Sequence, residues 1–383
     1  MLGDASYEVA FAWLVLSVTG SPAALGAVLV ATSVPRGLLL LVGGAITDRF
    51  SPRLLMLCSH VVRGVAVGGL AVLSAAGALQ VWHLYGVGVV VGVAEAFFWP
   101  ASGSIMPSLV DVADLPRANA VFGVAEQVCR LVGPVLGGGL MAWAGAPVAM
   151  GFNAVTFFVA AGTVLAAPRR VSGPVGRLSF SVVFGEIRAG LAYAGRSVEV
   201  RLVLVVVAAS TLSYSGLFAV GLPALSRHFP HGSLVLGALL SAWGLGQLVG
   251  TVSATVTGLP RRWGLLVIGM ALAEGLSFAV IGVVPRYQLA VVLLALLGAG
   301  VAYSSDVALP TFVQTRTPAE LLGRVHSVLD LPRFTLAPLS VAGMGLLAAV
   351  DVRWAFVVAA LPMLSVGLGL GLSRSARRLR VDG

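Results

Sequence analysis

Asp4 and Glu8 stand four residues apart in an otherwise apolar run, a spacing that puts both carboxylates on one face of a helix. Glu95 lies in another apolar run, beside Phe97, Phe98 and Trp99. Arg36, Arg63, Glu126, Arg130, Glu274, Asp306, Asp330 and Arg333 are likewise embedded in apolar sequence. An ionised side chain at the centre of a bilayer costs at least about 2.5–3.5 kcal/mol. Residues of this kind therefore face a partner or a polar interior. A carboxylate held away from water can exchange a proton near neutral pH, which makes Asp4, Glu8 and Glu95 candidates for proton binding or for contact with a cationic solute. A static pair, such as Glu8 with Arg36, is the alternative. Glu126 and Arg130, spaced i, i+4, read as an internal ion pair, and Asp330 with Arg333 reads the same way. No nucleophile, base and orienting group stand together, so no enzyme is expected. The five histidines show no ligand spacing, and Cys58 and Cys129 sit in apolar runs as small hydrophobes, so no metal and no disulfide is expected.

The elements that must position these groups follow from composition. Hydrophobic residues make up 58% of the 383 residues, charged residues 10%, and mean hydropathy is +1.00. Soluble proteins carry about 25% charged residues, so this chain is expected to be a polytopic membrane protein. A helix crosses the hydrocarbon core with about 20 apolar residues. Twelve such runs are predicted, at roughly 2–19, 23–46, 54–76, 81–105, 118–142, 146–167, 202–225, 233–257, 263–284, 288–312, 323–349 and 352–373. They are too long and too evenly apolar for barrel strands. If the connector after the second run is cytoplasmic, seventeen arginines fall on that side and three on the other. That asymmetry predicts cytoplasmic N- and C-termini. The net charge of +9 is accounted for by orientation and lipid headgroup contact, with no basic stripe and interleaved aromatics that would bind nucleic acid. Acids at positions 4 and 8 argue against a cleavable signal peptide.

The expected organisation is a six-helix bundle over 1–167, a cytoplasmic linker over 168–201, a second six-helix bundle over 202–373 and a basic tail over 374–383. Within the linker, FGEIRAGLAYAG has the spacing of a short helix lying on the membrane surface. GSPAALGA at 20–27 matches GSLVLGA at 232–238, and MPSLV at 106–110 matches LPTFV at 309–313. The two matches point to an internal repeat with an offset of about 200 to 211 residues, as in carriers built from parallel repeats.

Two motifs carry a family resemblance. GGAITDRFSPR contains Gly44, Asp48, Arg49 and Arg53 in a G-x-x-x-D-R pattern followed by a base, and resembles the loop 2–3 motif of the major facilitator superfamily. RLVGPVLGGG places Gly133, Pro134, Gly137 and Gly138 in a pattern similar to that superfamily's antiporter motif. LGDASYEVA, TGSPAALG, LPRANA and AEQVCRLVGP together resemble the drug-efflux branch that includes macrolide and enterobactin-type exporters. The resemblance implies a cytoplasmic latch at the first motif. A carboxylate is favoured at a helix N-terminus, so Asp48 is expected against the helix start near Gly323, with Arg49 and Arg53 pairing with acids or lipid phosphate. At the second motif the resemblance implies a tight helix seal, helped by small residues and a proline. The equivalent of Asp48 in the second half is Leu259, so only the first half is expected to carry the latch.

The resemblance implies an all-α carrier of twelve transmembrane helices in two pseudo-symmetric bundles, a monomer in the plasma membrane. It implies export of amphipathic small molecules by proton antiport with alternating access, with the proton gradient as energy source and no cofactor. Asp4, Glu8, Arg36, Glu95, Glu126, Arg130 and Asp306 are the candidates for proton coupling or substrate contact. Apolar and aromatic walls are expected from Phe11, Trp13, Phe97, Phe98, Phe218 and Trp243. A proton-coupled importer of the same fold and a non-transporting receptor or scaffold are the alternatives.

Overall fold

The structure is a computed structural model. It describes residues 1–47, 51–111, 114–166, 195, 197–258, 262–284, 286–316, 322–373 and 377. Among these, every regular element is a helix and there is no strand. In chain order the helices are α1 (Leu2–Thr19), α2 (Pro22–Thr47), α3 (Pro52–Ala75), α4 (Val81–Leu109), α5 (Leu115–Trp143) and α6 (Gly145–Ala166). Then α7 runs as Val198–Gly216, a π-turn Leu217–Gly221 and a last turn Leu222–Ser226. It is followed by α8 (Gly232–Thr257) and α9 (Trp263–Val283). Next, α10 runs as Tyr287–Val301, a π-segment Ala302–Ala308 and Leu309–Arg316. The last two are α11 (Leu322–Val350) and α12 (Val352–Leu372).

Among the described residues, eleven helices are long and apolar enough to cross a membrane. The twelfth, α1, has 18 residues and carries the two acids Asp4 and Glu8. The chain is a multi-pass membrane protein, and in lipid the helix is favoured because it satisfies every backbone N–H and C=O from within. Local chemistry sets the ends. Gly20 closes α1 at φ 67°, the left-handed conformation glycine adopts without steric cost. Asp351 opens α12 by accepting from the N–H groups of Arg353 and Trp354 at 2.7 and 3.3 Å.

The chain divides into two compact units, Met1–Phe180 with His231–Gly237, and Ser181–Pro230 with Ala238–Gly383. Inside the first, α1 packs on α5 and α6, α2 on α4, and α3 on α4 and α6. Inside the second, α7 packs on α11 and α12, and α9 on α12. The repeat seen in the sequence thus reappears as a repeat of helix pairings, with α3·α6 matched by α9·α12 and α1·α5 by α7·α11. Small residues let the helices touch backbone to backbone, as lipid-embedded packing favours. A Cβ on Gly92 of α4 would strike the Thr32 carbonyl of α2. One on Gly250 of α8 would strike the Ala299 carbonyl of α10.

The π-turn in α7 has an identifiable cause. In a regular helix the Gly216 N–H would bond to the Leu212 carbonyl. Here the Ser340 hydroxyl of α11 stands between them, accepting from the Gly216 N–H at 2.8 Å and donating to the Leu212 carbonyl at 2.7 Å. A side chain inserted into the backbone ladder opens the turn. The lack of a Cβ at Gly216 leaves room for α11, since a Cβ there would meet the Ser340 carbonyl and the Met344 side chain.

The expected linker 168–201 and its surface helix, the basic tail over 374–383, and Asp48, Arg49 and Leu259 fall wholly or mostly outside the described residues.

Replacing Ser340 with alanine removes both bridging bonds. Ser340→Ala is expected to lower stability by about 1–3 kcal/mol, read as a lower thermal midpoint of the detergent-solubilised protein, while Ser340→Thr retains most of it.

Candidate functional site

The ionisable residues of the first unit converge from five helices, α1 to α5. Arg63 of α3 is 1% exposed and is the largest fully buried side chain among the described residues. It reaches Asp4 of α1 at 3.2 Å. Its remaining donors bond to the Ser59 carbonyl at 3.4 Å and meet His60 Nδ1 at 3.3 Å. Its guanidinium lies 4.6 Å from the ring centroids of Phe98 on α4 and Phe157 on α6. The cation is thus neutralised from one side and held by aromatic faces on two others. Next to this group, the Asn153 side chain of α6 donates to the Gly3 carbonyl of α1.

The second pair joins Arg36 of α2 to Glu95 of α4 at 3.0 Å. Arg36 therefore pairs with Glu95, and the alternative pairing of Arg36 with Glu8 does not form. The reason is register: Gly88 and Gly92 bring α4 against Val28 and Thr32 of α2, which sets residue 95 opposite residue 36. On α5, Arg130 pairs with Glu126 at 2.8 Å, one turn apart.

Those pairings leave one carboxylate over. Asp4, Glu95 and Glu126 each have an arginine; Glu8 of α1 has no ion-pair or hydrogen-bond partner among the described residues, and its side chain is exposed. It lies within the electrostatic reach of Glu95, Arg130, Asp4 and Arg36. The structure therefore brings together Asp4, Glu8, Arg36, Glu95, Glu126 and Arg130. Asp306 belongs to the other unit, in the π-segment of α10, and its side chain is outside the described residues. Asp330 and Arg333, also in that unit, sit 3.5 Å apart on α11.

Arg63 is the residue that the sequence-based choice of site residues passed over. One signal pointed to it: no acid stands three or four positions away on its own helix, so a buried Arg63 requires an acid from elsewhere in the fold.

The second motif forms two seams within the first unit. A Cβ on Gly133 or Gly137 would run into Ala5 and Ser6 of α1, and one on Gly138 into the Ser233 carbonyl at the start of α8. Pro134 is buried between them, and its carbonyl in turn lies against Gly237. Of the first motif, Gly44 lies in the last turn of α2, while Asp48 and Arg49 are outside the described residues. Arg53 donates to the Leu165 carbonyl. It meets the carbonyl end of α6 instead of an acid, a favourable place for a cation because the last-turn carbonyls carry partial negative charge.

In the second unit an aromatic nest links Tyr214 and Phe218 of α7, stacked at 3.9 Å, with Trp243 of α8 at 4.8 Å from Phe218 and Phe278 of α9 at 6.5 Å. Of the residues expected to form apolar walls, Phe218 and Trp243 belong to this nest, whereas Phe98 is engaged by Arg63.

A family model described as "Transmembrane secretion effector" matches residues 1–377. The chain belongs to the major facilitator superfamily. It is 29% identical over 387 residues to "Multidrug efflux pump Tap" of Mycolicibacterium fortuitum, covering 96% of this chain and 91% of that protein. It is 26% identical over 310 residues to "Enterobactin exporter EntS" of Escherichia coli, covering 81% and 73%. Among solved structures, the nucleoside transporter NupG matches with a TM-score of 0.70 at 11% identity, over 99% and 96% of the two chains. The POT family transporter PepTSo matches with a TM-score of 0.72 at 14% identity, over 98% and 97%. At such identities the solved structures show a shared fold alone. The family and its fold neighbours are transporters, not enzymes.

Arg63 generates a test of stability. Asp4→Asn leaves a buried guanidinium without its counter-charge and is expected to cost about 3–5 kcal/mol, read as loss of folded protein in size-exclusion chromatography and a lower thermal midpoint. The double variant Asp4→Asn/Arg63→Met should recover much of that loss, because no uncompensated charge remains.

Proposed function

We propose that this chain is a secondary active exporter of amphipathic small molecules, driven by proton antiport. The observation that carries the reading is Glu8: within a cluster of four acids and three arginines it is the acid left unpaired and exposed. An acid in that position exchanges a proton with water without first breaking an ion pair. When ionised it also attracts a cationic solute, so proton and solute compete for one carboxylate, which is the elementary requirement of antiport. The neighbouring Arg36 and Arg130 offset part of the cost of its charge.

Glu95 is the second group in this scheme. Its bond to Arg36 is released if Glu95 takes the proton, so Glu8 and Glu95 together link proton binding to the hold between α2 and α4. Asp4 serves Arg63 and the packing of α1, α3, α4 and α6. The carrier works by alternating access, open to one side of the membrane at a time, and resides in the plasma membrane with both termini in the cytoplasm, as the arginine asymmetry of the sequence supports. The relatives named for multidrug efflux and enterobactin export support outward transport of small molecules. The aromatic nest of Tyr214, Phe218 and Trp243 gives the second unit a cluster of rings of the kind that suits an amphipathic solute.

The test is transport by purified protein in proteoliposomes under an imposed pH gradient, screened over lipophilic cationic dyes and antibiotics. Wild type is expected to move dye against proton flow. Glu8→Gln should abolish the response to the pH gradient, with the fold unchanged. Glu95→Gln should reduce it at least tenfold. Accumulation in the direction of proton flow marks an importer and overturns the reading, as does full gradient-driven transport by Glu8→Gln.

A further inference from the structure

Glu274 of α9 takes no part in the site above. It is 4% exposed, and its Oε1 has no hydrogen-bond partner among the described residues. The Ser210 hydroxyl of α7 is the polar group that acts on the carboxyl, and among the described residues no charged side chain does. Its surroundings are apolar. One turn before it, Ala271 packs with Ala209 of α7 and Met363 of α12, and the adjacent Gly275 is closed over by Leu364 and the Ala360 carbonyl of α12.

The charged residues on the elements packed against α9 lie elsewhere. Arg201 stands near the start of α7 and bonds to the Gly195 carbonyl at 3.5 Å. Arg353 is in the first turn of α12, two turns from Ala360. Arg286 precedes α10, and the side chains of Glu199 and Asp306 are outside the described residues. Asp330 and Arg333 of α11, which packs on α7, bond to each other.

The internal repeat sharpens the contrast. Arg63 is the twelfth residue of α3 and Glu274 the twelfth of α9, so the offset of 211 aligns them. At the same depth of the equivalent helix, one unit holds a buried cation saturated by an acid, a histidine and two aromatic rings. The other holds a buried acid with a single hydroxyl.

A carboxylate buried in such a place without a cation costs several kcal/mol to keep ionised, whereas the neutral acid needs only a hydrogen-bond donor and acceptor. We propose that Glu274 is a proton-binding site of the second unit, separate from the Glu8 cluster, occupied by a proton while α7, α9 and α12 are closed around it. The proton leaves only when water reaches the seam between these helices, so proton occupancy and helix packing are linked. This holds whichever solute the protein moves, and the measurement below uses none, so its failure and the failure of the exporter reading are told apart.

The full-length protein in lipid nanodiscs is examined by infrared spectroscopy at pH 7 and again at stepwise higher pH. A protonated-carboxyl C=O band, shifted in D2O, is expected in wild type and absent in Glu274→Gln. That variant keeps the shape and neutral charge of the protonated acid, so its thermal midpoint should match wild type. A band unchanged by Glu274→Gln, a Glu274 carboxyl found ionised at pH 7, or a Glu274→Gln protein that fails to fold would each overturn the proposal, the last because it would show that the negative charge itself is required.

Discussion

Everything in this structure answers to one constraint: a full charge surrounded by hydrocarbon must be matched by the fold or not exist. Arg63 shows how strongly that constraint organises its surroundings. A guanidinium with almost no exposure is satisfied by groups from four helices: Asp4 from α1, Ser59 and His60 from its own helix, Phe98 from α4 and Phe157 from α6. Two of these hold it through ring faces, which attract a cation without adding charge. The same residue therefore explains why α1, α3, α4 and α6 stay together where lipid offers no hydrophobic incentive for helix association.

Against that background the pairing pattern gains meaning. Three salt bridges saturate three arginines, and the acid that remains is the one on the exposed side of α1. Glycines supply the precision behind the pattern. Gly88 and Gly92 fix the register of α4 on α2, and that register decides that Arg36 meets Glu95 and not Glu8. The same device, Gly246 and Gly250 against Ala295 and Ala299, recurs in the second unit, so the two halves share a method of helix contact even where their charges differ.

The helices were legible because lipid imposes a length and a polarity that leave a plain trace. The predicted runs at 81–105 and 323–349 became helices of 81–109 and 322–350. The ion pair of Glu126 with Arg130 was legible because both partners sit on one helix. The partner of Arg36 was not, because it depends on how two helices slide along each other, which the small residues at their contact determine and no spacing within one helix reveals. The π-turn of α7 was hidden for a similar reason: its cause, Ser340, lies 124 positions away from Gly216 in the chain. The loop carrying Asp48 and Arg49 was read from a motif and stands on that alone.

The Ser340 hydroxyl has a mechanical consequence. By carrying both halves of an interrupted rung, it makes a side chain of α11 a structural member of α7. An axial slip of α11 by even one ångström would stretch two bonds in its neighbour at once, so the pair flexes as a single beam with a soft point built into one of its edges.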